Sequence, residues 1–168
     1  PCSIEARIEL RTAAGSAGGT ALVLAKLGAQ VRSAGAIGTD AVGDMLVGLL
    51  ERDGVDTSLL ARRDDVQTSA SVLPIRPDGS RPALHVVGAN ATFTPADVAA
   101  DAFDGVDHLH VGGPEFLGGD AAAELLQRAH AAGATTSADL LAPGDPGVLG
   151  GGVHRERRDQ EGAVGDGS

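Results

Sequence analysis

Ala13 to Gly43 reads AAGSAGGTALVLAKLGAQVRSAGAIGTDAVG, and its punctuation decides the fold class. The small residues from Ala13 to Gly19 suit a glycine loop. Thr20 to Leu27 then carries Leu22, Val23, Ala25 and Leu27 without a breaker and meets Gly28, which predicts a short helix with a C-terminal stop. Gln30 to Ile37 predicts a compact strand. Asp40 can cap the next element, a helix in which Val42, Leu46, Leu49 and Leu50 recur at helical spacing up to Gly54. Loop, helix, strand and helix in this order point to an α/β protein.

Working outward, Ala6 to Arg11 alternates apolar and charged residues as a half-solvated strand does. Thr68 to Ile75 and Ala83 to Val87 are β-like, and Pro77-Asp78-Gly79-Ser80 between them is hairpin-turn chemistry, so an antiparallel insertion is expected. Thr94-Pro95 sets a capping hydroxyl before a first-turn proline, predicting a helix from Pro95 to about Ala102. His108 to Val111 reads as a strand. Asp120 to Ala132 reads as a helix with Ala123, Leu126 and Ala129 on one face, and Ala134 to Leu140 as a further strand after Gly133. Beyond Pro146 the pattern changes. Gly150-Gly151-Gly152 leads into the charged run His154 to Glu161, and residues 150–168 form an expected disordered tail with nothing to bury.

The 168 residues suit one domain, able to bury roughly 70% of its unfolded surface. Hydrophobic residues make up 42% and charged residues 21%, which excludes the disordered and membrane classes. Three Phe with no Trp or Tyr leave a core of Ala, Val and Leu, suited to helices packed on a parallel sheet. A formal charge of -10 repels phosphate backbones, so no nucleic acid and no membrane partner is expected. Cys2 is the sole cysteine, which precludes an intrachain disulfide and makes a cytoplasmic location the expectation. The chain opens on Pro1 and its one methionine is Met45, so the N-terminus is expected to be cut.

Two nucleotide motifs are excluded. The sole lysine, Lys26, lies inside the first predicted helix, so there is no G-x-x-x-x-G-K-[ST] loop, and no G-x-G-x-x-G follows a strand. The loop Gly15-Ser16-Ala17-Gly18-Gly19 could bring backbone N–H groups close to an anionic or polyhydroxy ligand, or could simply pack closely; both readings stay open. His108 and His110 alternate along one strand and face one side, but without a third ligand nearby they read as ordinary strand residues. His85, His130 and His154 are scattered, and no metal site is expected.

The order of these pieces carries more than any one of them. Ala14 to Ala21, then Leu24-Ala25-Lys26-Leu27-Gly28-Ala29, then Gly35-x-x-Gly38-x-Asp40-x-x-Gly43 resembles the first signature of the ribokinase-like (PfkB) carbohydrate kinases. The resemblance continues through Asp53-Gly54-Val55-Asp56-Thr57, through Thr68-Ser69-Ala70-Ser71 with the Asp78-Gly79 hairpin, and through Gly88-Ala89-Asn90-Ala91. It covers about Ile8 to Pro146.

The resemblance implies a three-layer α/β sandwich of ribokinase type with a small antiparallel β lid, truncated. Residues 1–149 would be a partial kinase domain, with lid segments near 6–11 and 68–87. Gly15, Ser16 and Gly19 would be the sugar-side positions, although the family usually has Asn where this chain has Gly19, an amide able both to donate to and accept from a hydroxyl. Asp139 falls where many members set an acidic or amide residue near the phosphates and metal; an Asp at a strand end also caps turns. The family uses ATP and Mg²⁺ and takes its catalytic base from a C-terminal G-A-G-D-like turn. Gly144-Asp145-Pro146 and Gly165-Asp166-Gly167 do not reproduce that turn, so no catalytic residue is assigned, and a truncated or frame-shifted reading is the expectation. The implied function is an ATP-dependent sugar kinase. A nucleoside kinase of the same fold and a non-catalytic sugar-binding module are the alternatives, with a small-molecule sugar as ligand and a homodimer through the lid as a candidate assembly.

Overall fold

The computed structural model describes residues 13–140. The expected strand at 6–11 and the expected tail at 150–168 lie outside the described residues. Helix α1 (Ser16–Lys26) leads to strand β1 (Arg32–Gly38), helix α2 (Ala41–Arg52) and strand β2 (Asp56–Arg63). Strands β3 (Ala70–Val72) and β4 (Leu84–Val86) follow, then 3-10 turns at Gly88–Thr92, Pro95–Asp97 and Ala100–Phe103. Strand β5 (His108–Gly112), the single-turn α3 (Pro114–Leu117), helix α4 (Gly119–Ala131) and strand β6 (Thr135–Asp139) complete the order.

β1 and β2 pair in parallel, as do β5 and β6, while β3 and β4 pair antiparallel. Each parallel pair is joined through a helix, α2 in one case and α4 in the other, so the described chain contains two βαβ units. α1 packs against both β1 and β5 and so ties the units together. Neighbouring residues of β2 show why helices lie on both faces of the sheet. Leu60 packs with Leu22, Leu50 and Val55 beneath α1 and α2, whereas Leu59 packs with Val98, Phe103 and Leu125 on the other side. Alternation along the strand therefore feeds two cores, giving the helix, sheet and helix layers of an α/β sandwich. Burying one such leucine stabilises the fold by about 1.5–3 kcal/mol.

Asp40 caps α2 by accepting from Gly43 N at 2.8 Å, as its place in the sequence suggests. α1 differs from expectation by starting at Ser16 rather than Thr20, so Ser16 to Gly19 are its first turn and not loop. Ala21 and Leu22 are buried, and the close approach of Ser16 and Ala17 to Gly112 of β5 holds that turn in place. β2 was unforeseen, because a strand that buries leucines on both faces shows no period-2 alternation.

The helix expected from Pro95 to Ala102 is instead two 3-10 turns with Val98 and Ala99 extended between them. Arg128 of α4 bridges the break: its guanidinium donates to the carbonyls of Pro95, Val98 and Ala99 at 2.9, 2.7 and 2.9 Å, while Pro95 O and Ala99 O also accept the 3-10 bonds from Val98 N and Ala102 N. It also stands 5.2 Å from the centre of the Phe103 ring, a cation–π contact. In α4 the buried residues are Ala122, Leu125 and Ala129, so the core-facing stripe lies one residue earlier than expected at its first two positions.

The lid hairpin forms as expected, with shorter strands. Arg76 N donates to Ser80 O at 2.9 Å across the turn, and Asp78 Oδ1 accepts from Ser80 N at 2.9 Å. Ala70, Val72, Leu84 and Val86 share one face by register, and the large ones are exposed. The two roots of the lid meet, since Ala89 N donates to Gln67 O at 2.9 Å. A Cβ on Gly88 would collide with that same Gln67 oxygen, so no side chain fits there.

Candidate functional site

Two strand ends meet at the start of α1. Gly112, the last residue of β5, is in register with Asp139, the last of β6. A Cβ on Gly112 would collide with Ala17 N and stand 2.8 Å from Ser16 Oγ, so the strand backbone lies directly against the first turn of the helix. Gly113 N then donates to the Asp139 carbonyl at 3.1 Å and lies 3.3 Å from its Oδ1. Ser16 and Asp139 are thereby brought to one edge, where two parallel strands end beside a helix N-terminus.

That N-terminus has no side-chain cap, its Ncap being Gly15, and no acidic residue in its first turn. First-turn N–H groups have no intrahelical partner, so they present donors and positive potential to an oxygen-rich ligand. Among the described residues, the directions in which Gly15 and Gly19 would carry a Cβ meet nothing within 4 Å, whereas that of Gly18 meets Ala13 at 3.9 Å.

The same Oδ1 of Asp139 also lies 3.6 Å from His110 Nε2. His108 and His110 share a strand face, as their alternation requires. They are joined through Ser137 Oγ, at 2.8 Å from His108 Nε2 and 2.9 Å from His110 Nδ1. Among the described residues no group of three or more His, Cys, Asp or Glu is placed to hold a metal ion. No helix among them is long and apolar enough to cross a membrane.

A second polar cluster sits at the lid root. Asp40 accepts from Thr68 N through Oδ2 at 2.8 Å and from Thr68 Oγ1 through Oδ1 at 2.7 Å, and Thr68 Oγ1 accepts from Gly38 N at 2.9 Å. The Thr68 backbone N–H, then its hydroxyl, then Gly43 N–H hold the Asp40 carboxyl below the usual carboxylate range. Gly43 admits no Cβ because it would collide with Gly38 O and lie 2.8 Å from Thr68 Oγ1. A cavity of about 300 Å³ lined by Thr39, Asp40, Asp64, Asp65, Val66 and Gln67 opens beside this cluster. Gly15, Ser16, Gly19 and Asp139 do not line it.

A model of the pfkB family of carbohydrate kinases matches residues 5–146. The chain belongs to that family. Its pfkB-type fold is shared with a fructokinase from Xylella fastidiosa, at 25% identity and a TM-score of 0.71 over 92% of this chain and 51% of that one. It is also shared with an adenosine kinase from Sinorhizobium meliloti, at 25% identity and a TM-score of 0.60 over 74% of this chain and 39% of that one. A putative ribokinase from E. coli matches in fold at 17% identity and a TM-score of 0.61, over 74% of this chain and 42% of that one. A search of curated proteins returns no match. This pfkB-family chain thus spans about half the length of the fructokinase.

Gly15, Ser16, Gly19 and Asp139 were assigned through the family resemblance, and the structure brings the first turn of α1 and Asp139 to the same edge. Gly112, Gly113 and Thr68 were missed as parts of these clusters. A Gly-Gly pair directly after an apolar strand was an available signal for the first two. Thr68 had none, because its partner Asp40 lies 28 residues away.

Proposed function

We propose that this chain provides the substrate side of a kinase that moves the terminal phosphoryl group of ATP to a sugar hydroxyl. The observation that carries the reading is the convergence of the uncapped α1 N-terminus with the ends of β5 and β6. Ligands of open α/β sheets bind beyond the carboxyl ends of the strands, and here a helix adds its free N–H donors at that edge. In this reading Gly15, Ser16 and Gly19 receive the sugar hydroxyls, Asp139 stands on the phosphate side, and the lid closes over the ligand. Phosphoryl transfer is mainly positioning and charge stabilisation, so such a site contributes by orienting the acceptor hydroxyl.

ATP and Mg²⁺ are the cofactors the reading implies for the whole enzyme. Mg²⁺ prefers an octahedral set of oxygens. Among the described residues no group of three or more His, Cys, Asp or Glu, Asp139 included, is assembled to hold it, so no step is assigned through either cofactor. A nucleoside acceptor is the second reading, favoured by the likeness to an adenosine kinase. A cytoplasmic protein acting on a small molecule fits both. The exposed face of Val72, Leu84 and Val86 supports pairing of two lids in a homodimer.

Calorimetry with fructose, ribose and adenosine, run beside a coupled assay of ATP consumption, tests the reading. Sugar binding without turnover is expected, with binding lost on Ser16→Trp. Turnover would overturn the inference that this chain lacks its catalytic base, and adenosine binding without sugar binding would favour the nucleoside reading. Sedimentation of wild type against Val72→Glu tests the lid pairing, which an unchanged monomer would exclude.

A further inference from the structure

One face of the β5–β6 pair carries an unbroken file of polar groups. Thr135 Oγ1 lies 3.0 Å from the Asp107 carbonyl oxygen and 2.7 Å from His108 Nδ1. His108 Nε2 is 2.8 Å from Ser137 Oγ, which is 2.9 Å from His110 Nδ1. His110 Nε2, shielded from solvent and without a hydrogen bond, then faces Asp139 Oδ1 at 3.6 Å.

A hydroxyl has one proton to give, and a neutral imidazole has one N–H and one lone pair. The file can therefore be polarised in two ways. Starting at Asp107, the carbonyl can only accept, so Thr135 donates to it and must accept from His108 Nδ1–H. His108 Nε2 is then a lone pair that takes the Ser137 proton, and Ser137 Oγ accepts from His110 Nδ1–H. His110 Nε2 is left as a lone pair opposite a carboxylate. In the reverse polarity His110 Nε2–H donates to Asp139, every link inverts, and the Thr135 and Asp107 oxygens face each other with no proton between them. The distances favour the first polarity: Thr135 Oγ1 is at hydrogen-bond length, 3.0 Å, from the Asp107 carbonyl, which also accepts the Thr135 N–H at 3.0 Å, whereas 3.6 Å at Asp139 is beyond that length.

We propose that this file is a tautomer relay that makes His110 a positioning residue for Asp139. It holds the His110 imidazole in the Nδ1–H form and turns the Nε2 lone pair on the carboxylate. Asp139 Oδ1 is thereby left to accept from Gly113 N–H, at 3.3 Å, and from a ligand at the start of α1. The relay stands on hydrogen bonding alone, while its effect on a ligand rests on the reading of Asp139 in the proposed function.

Long-range proton–nitrogen NMR correlations of the whole chain at pH 8.5 read the tautomer of each neutral histidine ring, with His108→Gln and His110→Gln for assignment. Both rings are expected as Nδ1–H. Thr135→Val removes the link to Asp107 and should convert both to Nε2–H, while Thr135→Ser keeps the wild-type forms. With Ser137→Ala already present, Thr135→Val should no longer alter His110. An Nε2–H form of His110 in the wild type, or no change on Thr135→Val alone, overturns the relay. In parallel, calorimetry with fructose and ribose should show binding weakened by about tenfold in Thr135→Val, the scale of one hydrogen bond to a charged group. Converted tautomers with unchanged affinity would keep the relay and overturn its role in ligand binding. If the wild type binds neither sugar, the proposed function fails and the relay is judged on the NMR result.

Discussion

Replacing Thr68 by Val deletes one hydroxyl at the junction of lid and body while keeping the side chain's shape. Thr68 is 4% exposed, and its Oγ1 accepts from Gly38 N at 2.9 Å and donates to Asp40 Oδ1 at 2.7 Å. The variant leaves the buried Gly38 N–H without its acceptor, at about 1–3 kcal/mol, and removes the bond to Asp40 as well. For a domain of this size the Gly38 loss alone is about 2–12 °C in Tm. Urea denaturation at pH 7 measures it directly, with Thr68→Ser as control because it keeps the hydroxyl. Acid adds a second check. The folded-state pKa of Asp40 is depressed below 3.8, so its stabilisation is present above that value and is lost as pH falls through the folded pKa. The gap between wild type and Thr68→Val should therefore narrow in strong acid. A Thr68→Val protein within about 0.5 kcal/mol of wild type, the range of ordinary surface substitutions, would refute the reasoning. So would a Thr68→Ser protein as weak as Thr68→Val, which would assign the effect to the methyl group.

Gly112→Ala forces a methyl against Ala17 N and Ser16 Oγ, and should cost about 1–3 kcal/mol as the start of α1 shifts; urea unfolding reads this, and sugar calorimetry should show a larger proportional loss than the stability does. Arg128→Met keeps much of the stem but removes three carbonyl bonds and the Phe103 contact, so a loss of about 2–3 kcal/mol by denaturation is expected. Arg63 holds the Asp97 carboxyl below its usual range through a 2.7 Å hydrogen-bonded ion pair. That contribution is full above pH 3.8 and fades as pH falls through the lower folded value, so Asp97→Asn should be clearly weaker than wild type at pH 7 and nearly equal to it in strong acid, as thermal melts across pH would record.

Punctuation made much of the body legible. Gly28, Asp40 and Gly133 mark ends that depend on nearby backbone alone, and the Asp78-Gly79 turn sets the lid hairpin. Features decided at a distance were hidden. Nothing near Pro95 says that Arg128, some thirty residues later, will donate to its carbonyl and to those of Val98 and Ala99. Asp56 to Arg63 offers no alternation, because Leu59 and Leu60 serve different cores. Gly18 and Gly19 read as loop because glycine is a poor helix residue, yet contact between the first turn of α1 and Gly112 outweighs that preference. Within the candidate site the sequence carried Ser16 and Asp139 only as members of a familiar order. Their meeting at one edge depends on the parallel register of β5 and β6, which no local pattern encodes.

The meeting of the lid's roots has a consequence for how such a protein can change. Because Gln67 and Ala89 are already bonded at 2.9 Å, the nineteen or so residues between Thr68 and Gly88 form an excursion whose closure is fixed by the body. Doubling the length of such a flexible loop costs only about 0.6 kcal/mol. The hairpin can lengthen, shrink or be exchanged for another with little effect on the layers beneath it. Sequence change can therefore accumulate in this module while the two βαβ units stay as they are.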